Sequence, residues 1–216
     1  MSPRTAATAA APAGDRPDPT TLPVAQRARR DRIIAAAMAL LAGAEYESVQ
    51  MRDIADEAGV ALGTLYRYFS SKEHLYAEAL VAWAADYGPR RTANGGPAPA
   101  DDDEARLRSL MRRAVRAFER APQMFRAQMV LERSTDPNAR ARYDEFVRRN
   151  TNVLTSALHN LDPTTSQSVI STVNCVMSNH LRSWAHGRCS IGDVDRAVQR
   201  TIDLIFGPGP TTPPSP

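Results

Sequence analysis

Apolar residues recur every three to four positions along most of the chain, and we find no run that alternates apolar and polar residues over the length of a strand. This period is typical of amphipathic helices that bury one face. In the first predicted helix, residues 24–42, the apolar face consists of Ile33, Ala37, Leu40 and Leu41. The pattern predicts an all-α fold of nine helices without a sheet.

Prolines and capping residues mark where the later helices should begin. The fourth helix is predicted to start at a capping box between Ser70 and Glu73 and to run to about residue 87. Aspartate followed by proline predicts two further starts, because Asp caps free backbone donors and Pro has no N–H that needs a partner there. These starts are Asp136-Pro137 for the seventh helix and Asp162-Pro163 for the eighth, with Ala121-Pro122 before the sixth and Ser190 before the ninth.

Composition divides the chain into four predicted segments. Residues 1–23 are rich in Ala, Pro and Thr, and residues 207–216 are rich in Pro, Gly and Thr, so the two should form a disordered arm and tail. Residues 24–70 should form a small helical domain, and residues 71–206 a larger one with a loop at residues 90–100. The acidic run at residues 101–104 could suggest a metal site, but no histidine or further acid stands at ligand spacing. We interpret it as the acidic start of the fifth helix.

Residues 45–72 carry the most informative pattern, two short predicted helices at 48–58 and 61–68. Gly59 stands between them, where a left-handed backbone conformation can turn the chain. Ile54, Ala55 and Ala58 share one face, and small alanines allow two helices to cross closely. Helix, short turn and helix is a common way to place a helix in the DNA major groove.

Polar and aromatic side chains on this stretch are candidates for contacts with phosphates and base edges. Those predicted to face outward are Gln50, Arg52, Thr64, Tyr66, Arg67 and Tyr68. Lys72 lies at the start of the fourth helix, where its ammonium and free backbone N–H groups can share one phosphate. Arg27 and Arg30 could form a basic arm on the first helix, or simply a solvated charged helix start. Packing between helices is the alternative for the rings, above all for Phe69.

The charge of the small domain limits how it could bind DNA. Residues 24–90 contain eight basic and nine acidic residues by count from the sequence, so the domain is nearly neutral. The net charge of +3 and pI of about 9.1 for the whole chain permit nucleic-acid binding without establishing it. We therefore expect a specific, groove-fitting protein rather than a nonspecific coating protein.

Other chemistry finds little support in the sequence. Cys175 and Cys189 have no metal-ligand spacing, and we expect reduced thiols rather than a redox pair. The four histidines lack metal-binding spacings, and there is no phosphate loop or G-x-S-x-G motif, so we expect no catalytic residue, metal or cofactor. No apolar run approaches the roughly 20 residues that span a bilayer, and no secretory signal is present, so we expect a cytoplasmic protein without a membrane partner.

The larger domain carries methionines and aromatic residues at helical spacing, which either fill the core or line an adaptable apolar cavity. The candidate ligand-binding residues are Met111, Phe118, Met124, Phe125, Met129, Tyr143, Phe146, Val147, Asn150, Asn174 and Met177. The last two helices have apolar faces and could simply complete the core. A homodimer is expected because one short helix reads few bases, and two must lie about 34 Å apart.

The stretch VQMRDIADEAGVALGTLYRYFSSKEHL, residues 49–75, resembles the N-terminal signature of the TetR family of repressors. The resemblance covers about residues 27–82. Within the family, this stretch is most similar to a subfamily that represses steroid (cholesterol) catabolism. It implies a recognition helix that begins with Ala61, Leu62 and Gly63, and base or nearby backbone contacts from Arg52 and Thr64 as well as Tyr66. Because Leu62 and Gly63 have no hydrogen-bonding side chain, reading there must be apolar, for example against a thymine methyl. Tyr68 and Lys72 would hold phosphates.

The resemblance also implies a function. The last two helices would pair with the same two helices of a second copy, and the candidate interface residues are Val173, His180, Trp184, Val194, Val198 and Ile202. The two copies would bind operator DNA, a small-molecule effector would bind among the later helices, and the resulting shift would pass through the fourth helix and release the DNA. One alternative is a small-molecule carrier with a vestigial helix-turn-helix. Another is an activator or architectural DNA-binding protein.

Overall fold

The computed structural model describes residues 21–87 and 102–207, and within these ranges it forms nine α-helices and no strand. Their bounds are Val24–Gly43 (α1), Met51–Glu57 (α2), Leu62–Tyr68 (α3), Lys72–Tyr87 (α4), Asp103–Arg120 (α5), Pro122–Leu131 (α6), Pro137–Thr155 (α7), Pro163–Ala185 (α8) and Ile191–Phe206 (α9). This confirms the predicted all-α fold. Most of the predicted arm and tail and the whole predicted loop lie outside the described residues.

Helix starts follow local hydrogen bonding, and two of them differ from the prediction. α2 begins three residues late, since the Ser48 hydroxyl and N–H both donate to the Glu45 carbonyl and keep residues 45–48 in a turn. α4 is capped by Ser71, whose Oγ accepts from the His74 N–H at 3.0 Å. The predicted capping box between Ser70 and Glu73 is therefore wrong. The predicted starts of α6, α7, α8 and α9 are confirmed.

The described chain forms two compact units. The N-terminal unit contains residues up to Leu80 together with Ala127–Tyr143, and the C-terminal unit contains Val81–Arg126 and residues from Asp144 onward. The N-terminal unit thus includes the end of α6 and the start of α7, beyond the domain of residues 24–70 expected from the sequence. α4, α6 and α7 each pass from one unit into the other along the chain.

Each unit has its own apolar core. In the N-terminal unit, fully buried side chains from α1 to α4 include Ile33, Leu41, Ile54, Leu65, Phe69 and Leu75. In the C-terminal unit the core cluster consists of Leu107, Met111, Leu158, Val169, Ile170, Val173, Val198 and Ile202. Buried apolar area of this kind is the main stabilising contribution to each unit.

This C-terminal core corrects part of the predicted subunit interface. Four of the six candidate residues have no exposed surface within a single chain: Val173, Val194, Val198 and Ile202. A side chain that is already fully buried has nothing left to bury against a partner, so their assignment to an interface is wrong. His180 and Trp184 are half-buried and keep surface for such a contact.

Candidate nucleic-acid interface

The turn between α2 and α3 has the geometry expected of a helix-turn-helix. Gly59 adopts a positive φ of 64°, which confirms the left-handed turn predicted for it. Behind it, the Val60 N–H donates to the Ala55 carbonyl at 2.9 Å and closes the end of α2. Ile54 and Leu65 are fully buried, so the two short helices are fixed to a common core.

The outer face of α3 presents most of the residues predicted to meet DNA. Leu62 is 36% exposed and Tyr66 44%, and because they lie four residues apart they share one face of the helix. Exposed beside them are Ala61, Gly63 and Arg67, with Thr64 half-buried and with Gln50 and Arg52 exposed at α2. The surface combines apolar contact area with two guanidinium groups.

Tyr68 does not face outward as predicted. It is only 5% exposed, and its hydroxyl is buried without a hydrogen-bond partner among the described residues. The guanidinium of Arg67 lies 5.5 Å from the centre of its ring. The prediction failed because Tyr68 lies three residues after the buried Leu65 and so shares its face of α3. Its ring lies beside that of Phe69, with centres 6.3 Å apart.

Lys72 is the first residue of α4, and its side chain contacts Tyr46. Its ammonium donates to the backbone carbonyl of Tyr46 and lies 4.2 Å from the centre of the Tyr46 ring. Burial lowers the pKa of Lys72, against the raising effects of Glu47 and Glu73. The side chain remains half-exposed.

The two arginines predicted to form a basic arm differ in the structure. Arg27 is exposed, and its guanidinium donates to the Leu22 carbonyl at 3.3 Å. Arg30 forms a buried ion pair with Glu78 and lies 5.5 Å from the centre of the Phe69 ring. Its predicted place in a DNA-binding arm is wrong, because its charge is already paired inside the unit.

Glu78 of α4 is the centre of a polar cluster that sequence reasoning missed. It pairs with Arg30 of α1 and, at 2.7 Å, with Arg142 of α7, and His74 Nε2 lies 3.8 Å away. Burial alone would raise the pKa of Glu78, but hydrogen bonds from His74 and Arg30 and the two guanidinium charges lower it to about 2. Glu78 is therefore ionised at neutral pH and joins three helices.

A second polar link connects the end of the recognition segment to the start of α7. The hydroxyls of Ser70 and Ser71 donate to Oδ2 of Asp136 at 2.6 and 2.5 Å. The other oxygen, Oδ1, caps α7 by accepting from the Asn138 N–H at 2.7 Å. The sequence predicted the cap, but the contact across 65 residues of chain depends on the tertiary fold.

The candidate ligand-binding residues are divided between the units. Met129 and Tyr143 belong to the N-terminal unit, where the Tyr143 hydroxyl donates to Glu132 at 3.1 Å. In the C-terminal unit, Phe118 contacts Trp83 and Phe125, with ring centres 5.1 and 5.3 Å apart. Buried there are Met111, Met124, Phe125 and Phe146, while Asn150, Asn174 and Met177 are half-buried and Val147 is exposed.

Over the ranges that the structure describes, no group of three or more His, Cys, Asp or Glu side chains could hold a metal ion. None of the described helices is both long and apolar enough to cross a membrane.

Comparison with known proteins connects this geometry to a family. Residues 33–79 match the model of bacterial regulatory proteins of the tetR family, and residues 101–205 match the tetracyclin repressor-like C-terminal domain. The transcriptional repressor KstR of Rhodococcus jostii is 33% identical over 190 residues, which cover 88% of each chain. The chain belongs to the TetR family. KstR of Mycobacterium tuberculosis is 35% identical over 186 residues, covering 85% of this chain and 83% of that one.

Solved structures of TetR-family regulators share the architecture. A TetR transcriptional regulator from a Rhodococcus species has a TM-score of 0.71 at 26% identity and covers 85% of this chain and 98% of its own. The resemblance to the subfamily of KstR is thus found over most of the chain. The family and these relatives are transcriptional regulators, and the predicted function of a ligand-responsive, DNA-binding regulator is confirmed.

Proposed function

We propose that this protein is a homodimeric repressor that occupies operator DNA in the cytoplasm and leaves it when a small apolar molecule binds. The observation that supports DNA binding is the exposed face of α3, where Leu62 and Tyr66 are exposed while the opposite face of the helix packs on a fully buried core. The similarity to KstR repressors supports repression rather than activation.

DNA reading depends on fit more than on charge. Leu62 and Gly63 can approach a thymine methyl, while Arg52, Thr64, Tyr66 and Arg67 supply donors for base edges and nearby backbone. Lys72 supplies a phosphate contact. The Tyr68 hydroxyl lacks a partner in the described protein, and a small movement of its ring on binding would give it a phosphate oxygen.

A second copy of the chain supplies the second recognition helix. α9 carries Leu204, which is 86% exposed, and α8 carries the half-buried His180 and Trp184. Together, the exposed leucine on α9 and the partly exposed rings on α8 are suited to an isologous interface. Two α3 helices could then enter the major groove about one helical turn apart.

The effector site lies among helices α5 to α8, which carry the candidate methionines and aromatic residues. The resemblance to KstR favours a steroid or an acyl-CoA intermediate of catabolism as the effector class. The effector need only bind more tightly to a conformation in which the two recognition helices are wrongly spaced. A coupling free energy of about 1–3 kcal/mol then lowers the affinity for DNA about 5- to 150-fold. The conformational change can reach the recognition segment by routes besides α4. Near the start of α7, Asp136 binds Ser70 and Ser71, and Arg142 binds Glu78.

The DNA half can be tested without knowing the operator. The protein is used to select duplexes from a random-sequence library, and binding to a fluorescent selected duplex is followed by anisotropy at several salt concentrations. We expect sequence-selective, salt-dependent binding that Lys72→Ala and Tyr68→Phe weaken. A protein that selects no duplex, yet binds apolar ligands, would instead be the carrier.

The effector is tested on the same duplex. Cholesterol-catabolic intermediates and acyl-CoA esters are added to the complex, and loss of anisotropy reports release. If none of them releases the DNA at saturating concentration, the effector class is wrong while the DNA-binding function stands.

A further inference from the structure

Tyr46, in the turn before α2, contacts the ammonium group of Lys72. The Tyr46 side chain is buried, and its ring face lies 4.2 Å from the Lys72 nitrogen. The backbone carbonyl of the same residue accepts a hydrogen bond from that nitrogen. One residue therefore contacts the cation in two ways.

The Tyr46 ring is itself fixed to the core of the N-terminal unit. It meets the Tyr76 ring edge-on, with centres 5.1 Å apart and an interplanar angle of 60°. The Tyr76 hydroxyl donates to the Ala37 carbonyl of α1 at 3.2 Å, and Tyr76 and Ala37 are fully buried. The Tyr46 ring that contacts Lys72 is therefore fixed by packing against the core.

Lys72 would not adopt this position without support. A cation in the first turn of a helix opposes the positive end of the helix dipole, and burial further disfavours the charged form. A free lysine side chain also has many rotamers, which must be restricted before it can bind a phosphate at a fixed place. The Tyr46 carbonyl occupies one of the three ammonium donors, which leaves two for a phosphate.

We infer that Tyr46 is a positioning residue that holds Lys72 for its contact with a DNA phosphate. This inference rests on the phosphate contact proposed above for Lys72. The face of the ring is the active feature, since the Tyr46 hydroxyl is buried and has no hydrogen-bond partner in the described structure. Phenylalanine at this position should therefore serve as well as tyrosine, whereas leucine should fill much of the space and keep the carbonyl contact but lose the contact between the ring and the cation.

The contact itself can be observed without DNA. Lys72 is the only lysine in the chain, so lysine labelled with carbon-13 gives a single set of side-chain signals. Ring current from Tyr46 should shift the Lys72 ε-protons upfield of their position in unfolded protein. We expect the shift to persist in Tyr46→Phe and to disappear in Tyr46→Leu. An unshifted signal in the parent protein would overturn the inference.

The consequence for DNA is measured by a double-mutant cycle on the duplex selected by the parent protein. Tyr46→Leu should weaken binding about 2- to 30-fold per engaged subunit, the range of a cation–π contact. In a Lys72→Ala background the same change should have almost no further effect. Tyr46→Phe should match its parent in both backgrounds, and circular dichroism checks that each variant is folded.

The possible outcomes distinguish a failure of the positioning role of Tyr46 from a failure of the proposed DNA-binding function. If Tyr46→Leu weakened binding equally in both backgrounds, Tyr46 would have a general structural role. The positioning role would then be wrong, while the proposed DNA-binding function would stand. If Lys72→Ala binds the duplex as tightly as the parent, the proposed phosphate contact fails, and the inference fails with it. Should Tyr46→Leu not fold, the shift of the single lysine signal in the parent and in Tyr46→Phe still decides.

Discussion

Glu78 carries a negative charge almost fully buried between two arginines, which is costly unless every partner is in place. Its pKa of about 2 lies below the ordinary value of 4.5. A carboxyl group with a lowered pKa stabilises the folded state above pH 4.5, and that contribution is lost as the pH falls from 4.5 towards 2. At the scale of single residues, this cluster couples the packing of α1, α4 and α7 to one ionised side chain.

Glu78→Gln should lower the free energy of unfolding by about 3 kcal/mol at pH 7, because Arg30 remains buried without its counter-charge. The difference from the parent should shrink as the pH falls through the window from 4.5 to 2. Urea denaturation at a series of pH values measures this. Glu119→Gln, at an exposed position on α5, serves as the control and should be neutral at every pH. A pH-independent difference would contradict the assignment.

Gly63 provides a test in which stability and DNA affinity should change in opposite directions. It is exposed on α3, and a Cβ built there has nothing within 4 Å. Gly63→Ala should therefore stabilise the fold by up to about 1 kcal/mol. It should weaken operator binding about fivefold or more, equivalent to about 1 kcal/mol, because the methyl group would occupy space at the DNA surface.

Gly192→Ala is the matched control for this substitution. Gly192 is also the second residue of its helix, and a Cβ there would make only ordinary contacts of 3.6 Å. It should stabilise the protein similarly and leave DNA binding unchanged. Thermal unfolding and fluorescence anisotropy give the two readouts, and an unchanged affinity for Gly63→Ala would place this residue away from the DNA.

At the scale of helices, two starts with the same sequence chemistry have different roles. Asp136 and Asp162 each precede a proline and each cap a helix. Only the structure distinguishes them, because Asp136 also accepts hydrogen bonds from Ser70 and Ser71, while Asp162 is exposed. The first cap thus joins α7 to the end of the recognition segment.

Serine is about as good a cap as aspartate but has a single short oxygen, so it cannot also reach the two distant hydroxyls. Asp136→Ser should lower stability by about 1–3 kcal/mol and weaken operator binding, since hydrogen bonds to a charged group are lost. Asp162→Ser should change stability by less than about 0.5 kcal/mol. Thermal melts and anisotropy compare the pair, and equal effects would show that Asp136 acts only as a cap.

The start of α5 offers a second pair, Asp102 and Asp103. Asp102 caps the helix by accepting from the Glu104 N–H at 2.9 Å. Asp103 is buried and accepts from the N–H groups of His159 and Asn160 at 2.9 and 2.8 Å, which fixes the connection between α7 and α8. The sequence interpretation, acids placed by the helix dipole, therefore explains only the first of them.

Asp103→Asn leaves one of these backbone donors without an acceptor and should lower the free energy of unfolding by about 1–3 kcal/mol. Asp102→Asn should be nearly neutral, because Asn and Asp cap helices about equally well. Denaturation in urea gives both values. A neutral Asp103→Asn variant would mean that the loop between α7 and α8 is held by other contacts.

At the scale of the whole molecule, the proposed dimer depends on apolar surface that a single chain leaves exposed. Leu204→Arg should convert the dimer to a monomer, because it places a charge at the centre of the proposed interface. Val24→Arg is the control, since Val24 is 82% exposed but lies on α1. Light scattering measures the mass of each variant, and a dimeric Leu204→Arg protein would exclude this face of α9.

Much of the architecture was predictable from the sequence because it rests on local chemistry. The nine helices, the left-handed Gly59 and the starts at Pro122, Pro137, Pro163 and Ile191 follow from periodicity and from hydrogen bonds within a few residues. The exposed face of α3 was predictable for the same reason. Gly63, Thr64 and Arg67 are small or polar within an apolar pattern, which indicates that this face meets something other than the core. Leu62 was assigned to the same face only through the family resemblance.

The tertiary structure alone decided what each side chain faces when its partner is distant in the sequence. Arg30 was predicted for DNA but pairs with Glu78, and Val198 belongs to the core of its own chain. Nothing within a few residues of these positions specifies such partners. They are brought together by the path of the chain, as Ser71 and Asp136 are across 65 residues. The sequence by itself determined the helices and the recognition segment, and tertiary packing determined which cations and hydroxyls remain available to DNA.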